Sequence, residues 1–199
     1  MTMTEERPLA SSEAARRAMI DSQLRPSGVN EPWVLSAMLS VPREDFVPEA
    51  MRGAAYIDRA IPLGDGRWLA APLAHGRMLE EAAPRPGERV LLVGDGNGYL
   101  AALLRPVAGS LDSIAPADAL RAGDGGYDLV IVDGALEVLP DTLGNRMAAN
   151  GRIVTGIVSR GITRLAAGRK TAGIVSLLPL AEMGIPALPE LAAPKRWSF

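Results

Sequence analysis

The sequence predicts an α/β fold: a mostly parallel sheet entered through a glycine-rich turn, with a helical segment in front of it. Three observations predict it. Val90-Leu91-Leu92-Val93 is a continuous apolar run of strand length that passes at once into Gly94-Asp95-Gly96-Asn97-Gly98 and a helix-like Tyr99–Leu104. Such a run suits a strand buried on both faces, and a glycine turn between strand and helix is how nucleotide-binding sheets begin. Leu129-Val130-Ile131-Val132 and Ile153–Val158 are two more apolar runs, placed around a helical stretch Pro140–Ala148. The first 84 residues carry helix caps and proline-initiated turns instead of strand alternation.

Residues 1–11 are expected to be a disordered leader, and residues 12–84 a helical, substrate-side segment. Ser11 or Ser12 can cap a helix carrying Ala15, Met19, Ile20 and Leu24, which Pro26 ends. Asn30 is expected to cap a second helix with Val34, Leu35, Met38 and Leu39. Val41-Pro42 and Val47-Pro48 each restart a helical turn, because proline suits the first helical position. Leu63–Leu69, with Gly64-Asp65-Gly66 inside it, reads as a tight turn with apolar flanks, and Pro72–Ala83 as a helix. The sheet domain is placed at 85–199, with a second strand at Leu111–Ile114. Thr163–Ala167 and Ile174–Leu180 read as a late antiparallel pair, and Trp197-Ser198-Phe199 as a terminal strand.

Composition narrows the chemistry. Lys+Arg 21 against Asp+Glu 23 leaves a formal charge of −2, which favours neither a nucleic-acid partner nor an anionic membrane surface. The absence of Cys excludes disulfides and thiolate nucleophiles, and the single His, His75, excludes multi-histidine metal sites. No metal is expected. Prolines and Glu182 and Glu190 interrupt the most apolar stretch, Ala172–Pro194, so it cannot span a bilayer as one helix. The polar N-terminus has no apolar signal core. A cytoplasmic protein is expected.

Glycines at 94, 96 and 98 let backbone N–H groups approach a ligand at a helix N-terminus. Asp95 opposes a phosphate there and tolerates a zwitterion such as S-adenosylmethionine better. A ligand-free turn is the alternative. Asp133, at the end of its strand on the edge where ligands bind in open α/β sheets, reads either as an electrostatic partner of a cationic ligand or as a turn residue before Gly134. His75 is expected to be a surface or structural residue in preference to a catalytic one, Trp68 to fill core volume in preference to covering a ligand, and Arg16, Arg17 and Arg43 to be solvated or paired surface charges.

Arg16–Arg25, Val41-Pro42-Arg43-Glu44-Asp45-Phe46-Val47-Pro48, Ala55-Tyr56-Ile57-Asp58, Ile61–Gly66 and Val90–Tyr99 together resemble the protein-L-isoaspartate (D-aspartate) O-methyltransferase family, in the family's order. The resemblance implies a Rossmann-like methyltransferase fold, S-adenosylmethionine held by Gly94, Asp95, Gly96, Gly98 and Asp133, and methyl transfer to isoaspartyl residues of damaged proteins or peptides. An acceptor carboxylate is already ionised at neutral pH, so the reaction needs no general base and the scarcity of His and Cys does not exclude it.

The chain departs from the family pattern at four places. The family's Thr-Ile-Ser-x-Pro, whose Ser hydroxyl meets the reacting carboxylate, is here Trp68-Leu69-Ala70-Ala71-Pro72. Leu92 stands where the first strand has an acid. Ala115 falls where an acid grips the ribose, with Asp112 and Asp118 nearby. Residues 115–126 are too few for the family's further helix and strand, so a shortened sheet is expected. A non-catalytic family member acting as a binding or interaction module is the alternative reading, and the oligomeric state stays open.

Overall fold

The computed structural model describes residues 7–194. Helix α1 (Arg7–Met19) continues through a π-helical turn, Ile20–Leu24, and ends where Gly28 takes φ +88°. The helix therefore begins inside the expected leader, and Ser11 and Ser12 lie within it instead of capping it. Pro8 sits in its first turn, where a missing N–H costs nothing. Residues 1–6 and the expected terminal strand at 197–199 lie outside the described residues.

Helix α2 (Pro32–Ser40) is not capped by the Asn30 side chain. Its cap comes from a distant residue: Glu80 Oε1 accepts from the backbone N–H of Asn30 at 2.6 Å and of Glu31 at 3.0 Å. A carboxylate placed at a helix start satisfies free amides and complements the dipole whichever part of the chain supplies it. Turns of 3-10 helix follow Pro42 and Pro48, at Arg43–Phe46 and Glu49–Ala54. Strands β1 (Ile61–Gly64) and β2 (Arg67–Leu69) form a hairpin in which Asp65 and Gly66 both have positive φ, the geometry that follows strand twist. Helix α3 (Pro72–Ala82) is likewise capped from outside, by Asp58 Oδ1 on Leu73 N–H at 3.0 Å.

The main sheet has the order β4-β3-β5-β6-β7-β8, built from β3 (Arg89–Val93), β4 (Ser110–Ile114), β5 (Tyr127–Leu136), β6 (Met147–Ser159), β7 (Ile162–Thr171) and β8 (Ile174–Glu182). The first four are parallel and the last two add an antiparallel hairpin. Val90 and Leu92 face one apolar cluster with Leu129 and Ile131, while Leu91 and Val93 face the other with Val130 and Val132. Burial on both faces is why these strands read as unbroken apolar runs. The first cluster also takes in Met19, Leu24, Val34, Met38 and Leu79, so the lead-in and the sheet share one core.

The link 115–126 holds a single 3-10 turn, Pro116–Leu120, and β4 is the sheet edge among the described residues. The expected shortening is therefore present. Two boundaries differ from expectation. Helix α5 is Asp141–Arg146, because Met147 already pairs with Tyr127 as the start of β6. Strand β5 runs past Asp133 to Leu136, because Ala135 exchanges backbone bonds of 2.8 Å with Pro186 and Leu188.

The lead-in motifs meet in a polar knot. Arg16 Nε donates to the Tyr56 hydroxyl at 2.8 Å, Tyr56 donates to Glu44, and Arg16 also reaches the Leu39 carbonyl at 2.9 Å. Arg16 is thus a paired, largely covered charge, and Arg17 pairs at the surface with Glu13. Burial pushes the Glu44 carboxyl up, but the Tyr56 hydrogen bond and the Arg16 charge outweigh it and hold the group below its ordinary value. A depressed carboxyl contributes stability that is present above its unfolded value near 4.3 and is lost as pH falls through the folded value. Glu44→Gln should therefore be less stable than the parent at neutral pH, and its unfolding midpoint should fall less steeply from about pH 5 to about pH 3, as urea titrations at each pH will read.

Candidate functional site

The carboxyl end of β3 opens into the glycine turn, and the turn is organised by its own acid. Asp95 Oδ1 accepts from Asn97 N–H and the Asp95 carbonyl accepts from Gly98 N–H, both at 2.9 Å, while its other carboxylate oxygen lies 3.6 Å from Arg67 on β2. Gly94 N–H donates to the Ile114 carbonyl at 2.9 Å, tying the turn to the end of β4. At two glycines a side chain would crowd a neighbour. A Cβ on Gly96 would sit 2.2 Å from Ser113 Oγ, and one on Gly94 would sit 3.0 Å from Asp133 Cβ. Gly94 therefore lets its backbone pack closely against Asp133, whose side chain is 18% exposed. Helix α4 (Tyr99–Leu104) leads away from the turn.

Asp133 owes its position to an irregularity in β5. The pairing with β6 shifts register between Ile131 and Ala135, the kind of bulge that re-aims a side chain at a strand end. Asp133 Oδ1 is 3.0 Å from Nε2 of His75, which is fully buried on α3. The other ring nitrogen, Nδ1, is 3.3 Å from a guanidinium nitrogen of Arg43. Arg43 is also fully buried, which corrects its expected surface position. Its Nε donates to the Ala55 carbonyl at 2.8 Å, an Nη donates to the Ala70 carbonyl, and the guanidinium lies 5.0 Å from the centre of the Tyr99 ring. The surface expectation fails because two backbone carbonyls, an imidazole and an aromatic face replace water around the cation. Burial pulls the Arg43 pKa down to about 10, with Tyr99 and Asp133 opposing, so the group keeps its charge at neutral pH. The buried Tyr99 hydroxyl, pushed up by burial, has no hydrogen-bond partner among the described residues.

Ala70 is buried beneath this cluster, and its carbonyl, not its side chain, makes the polar contact. Trp68 does not fill the core. It is 49% exposed and lines a cavity of about 510 Å³ together with Asp58, Ala71, Leu73, Glu182 and Met183. A three-residue strand in a two-stranded hairpin has no second layer to cover its outer face, so the ring stays accessible. The cavity borders the segment that follows Ala70, and its walls do not include residues 94–98.

On the β4 side, Ala115 supplies no acid, and both neighbouring acids are engaged with other side chains. Asp112 accepts from the Tyr127 hydroxyl at 2.9 Å and lies 3.8 Å from Arg89, while Asp118 pairs with Arg121 at 2.8 Å. Sequence reasoning missed the Arg43–His75–Asp133 association, since the three residues are 32 and 58 positions apart along the chain. The single histidine near the substituted Ser position was the one available hint.

The sequence profile of the family described as "Protein-L-isoaspartate(D-aspartate) O-methyltransferase (PCMT)" matches residues 14–116. The chain is 36% identical to protein-L-isoaspartate O-methyltransferase 1 of Rhodopseudomonas palustris, covering 71% of this chain and 68% of the relative. It is 31% identical to the Methanoculleus marisnigri protein-L-isoaspartate O-methyltransferase, covering 83% and 87%. Among solved structures, a protein-L-isoaspartate O-methyltransferase superposes with a TM-score of 0.73 at 17% identity, over 91% of this chain and 67% of the other. A Plasmodium falciparum structure, described as a putative protein-L-isoaspartate O-methyltransferase in complex with S-adenosyl-L-homocysteine, superposes at 0.69 with 18% identity, over 90% and 98%. These two establish the Rossmann-like methyltransferase fold. With the lead-in motifs meeting in one knot and the glycine turn at the end of β3, the profile match over half the chain and the identity to named relatives place this chain in the protein-L-isoaspartate(D-aspartate) O-methyltransferase family.

Proposed function

We propose that this chain transfers the methyl group of S-adenosylmethionine to the carboxylate of isoaspartyl residues in proteins. The observation that carries this reading is its family membership, supported by relatives bearing that name. The alternative of a non-catalytic binding module is not favoured by those names. We place the chain in the cytoplasm, a reading with which its lack of Cys is compatible. Among the described residues no helix is long and apolar enough to cross a membrane.

Gly94, Asp95, Gly96, Gly98 and Asp133 form the cofactor side in this reading. The fit can be judged at Asp133, a partly exposed carboxylate whose Oδ2 lies on the Gly94 side. Such a carboxylate suits a cationic sulfonium or ammonium group. S-adenosylmethionine supplies an electrophilic methyl on a positively charged sulfur. The chain's own contribution is to orient: the acceptor carboxylate is already anionic, so alignment does the work that a base would otherwise do. With Ala in the family's Ser position, no side-chain hydroxyl is offered to the acceptor there.

The test is transfer of labelled methyl from S-adenosylmethionine to an isoaspartyl peptide, with its aspartyl isomer as control. Base-labile label on the isoaspartyl peptide alone is the expected result. Transfer no faster than the enzyme-free rate at saturating cofactor would refute the proposal.

A further inference from the structure

We infer that Arg43 and His75 are positioning residues that hold the Asp133 carboxylate at the cofactor edge, with His75 acting as a neutral strut and not as a base. A guanidinium can only donate, so the nitrogen it meets, His75 Nδ1, must carry the lone pair. The ring proton then sits on Nε2 and is donated to Asp133 Oδ1 at 3.0 Å. Both ring nitrogens are engaged and the ring is fully buried, so His75 has neither a free lone pair nor access to an acceptor.

The same contacts define what the unit does. Arg43 comes from the turn after Pro42, His75 from α3 and Asp133 from the end of β5. A cation and a carboxylate from opposite parts of the fold are thereby joined through one imidazole, with no direct ion pair between them. His75 takes up Oδ1 and leaves Oδ2 on the Gly94 side, 3.8 Å from where a Cβ would stand. Arg43 also holds the Ala70 carbonyl, so one buried group ties the acceptor-side segment to the cofactor-side acid. In this chain, which lacks the hydroxyl at position 70, that tie is a second means of aligning the two halves of the site.

The purpose of the unit rests on the reading of Asp133 as a cofactor contact; its geometry does not. Because His75 is the only histidine, its ring nitrogens give one unambiguous set of ¹⁵N resonances in the intact protein. The expected spectrum at neutral pH shows Nδ1 unprotonated and Nε2 protonated, and Asp133→Asn should shift the Nε2–H resonance. In calorimetric titration with S-adenosylmethionine, His75→Phe should bind about tenfold more weakly, the loss of one charge-assisted contact. His75→Gln, which can still accept from Arg43 and donate to Asp133, should bind within about threefold of the parent. A proton on Nδ1, an Nε2–H signal indifferent to Asp133→Asn, or full affinity in folded His75→Phe would each overturn the inference. If Asp133→Asn binds as the parent does, the cofactor reading of Asp133 fails, and the nitrogen spectra still decide the strut. Should His75→Phe not fold, the parent spectrum and the Gln variant decide it.

Discussion

Arg43→Met is expected to lower the unfolding free energy by about 3–5 kcal/mol. The methionine restores volume but leaves three acceptors, the Ala55 and Ala70 carbonyls and His75 Nδ1, buried without a donor. Each unsatisfied buried group costs about 1–3 kcal/mol, and removing the cation also leaves Asp133 with only the neutral imidazole. Replacing a buried ion by an apolar residue can be neutral when its partners go with it; here two of the three are backbone carbonyls and cannot. Arg43→Lys should recover only part of the loss, since a single ammonium cannot reproduce the three-way fork. Urea denaturation followed by circular dichroism measures both, and a loss below about 1 kcal/mol for Arg43→Met would mean that water replaces the guanidinium.

Asp133→Asn should weaken S-adenosylmethionine binding by about 10–100-fold while leaving the fold intact. Asparagine keeps an oxygen for the His75 N–H, so the strut survives and the change is confined to charge. A comparison with S-adenosylhomocysteine then locates the carboxylate. The product lacks the sulfonium charge, so a carboxylate aimed at sulfur predicts a smaller loss for it, whereas one aimed at the amino group predicts equal losses. Unchanged affinity for both would remove Asp133 from the site. Isothermal calorimetry with the two ligands gives the comparison directly.

The parts of the fold that could be read in the chain are those where a local pattern has one physical solution. Val90–Val93 and Leu129–Val132 are apolar at every position because both faces of the sheet are covered. Pro42 and Pro48 restart turns where proline geometry demands it. The short link 115–126 limits the sheet, since no strand and crossover helix fit in it. Helix starts were less legible. Asn30 and Ser12 have capping side chains, yet α2 and α3 are capped by Glu80 and Asp58, 49 and 15 residues away from the amides they serve. Any carboxylate that the fold brings to the end of a helix can satisfy its free N–H groups, and sequence spacing carries no record of that.

The site divides in the same way. Its glycine turn was legible, because a strand, a run of glycines and a helix announce a close backbone approach. Asp133 was legible as a place on the sheet edge but not as a role. Arg43 belongs to a motif that marks the family, yet nothing in Val-Pro-Arg-Glu tells a buried guanidinium from a surface one. Trp68 was misplaced for the converse reason: an aromatic ring usually fills a core, but a two-stranded hairpin has only one covered side.

By itself the sequence determined the α/β class, the resemblance to the family and the absences that distinguish this member: no hydroxyl at Ala70, no acid at Ala115, and no room in residues 115–126 for a further helix and strand. Those are properties of composition and local order, and they need no coordinates. Only the tertiary structure decided which charges are buried and which residues act together. The lead-in folds onto the same core as the sheet, and that packing carries Arg43 to His75 and His75 to Asp133 across the length of the chain. Burial and hydrogen-bond partnership are relations between distant segments, so they come into being only when those segments meet.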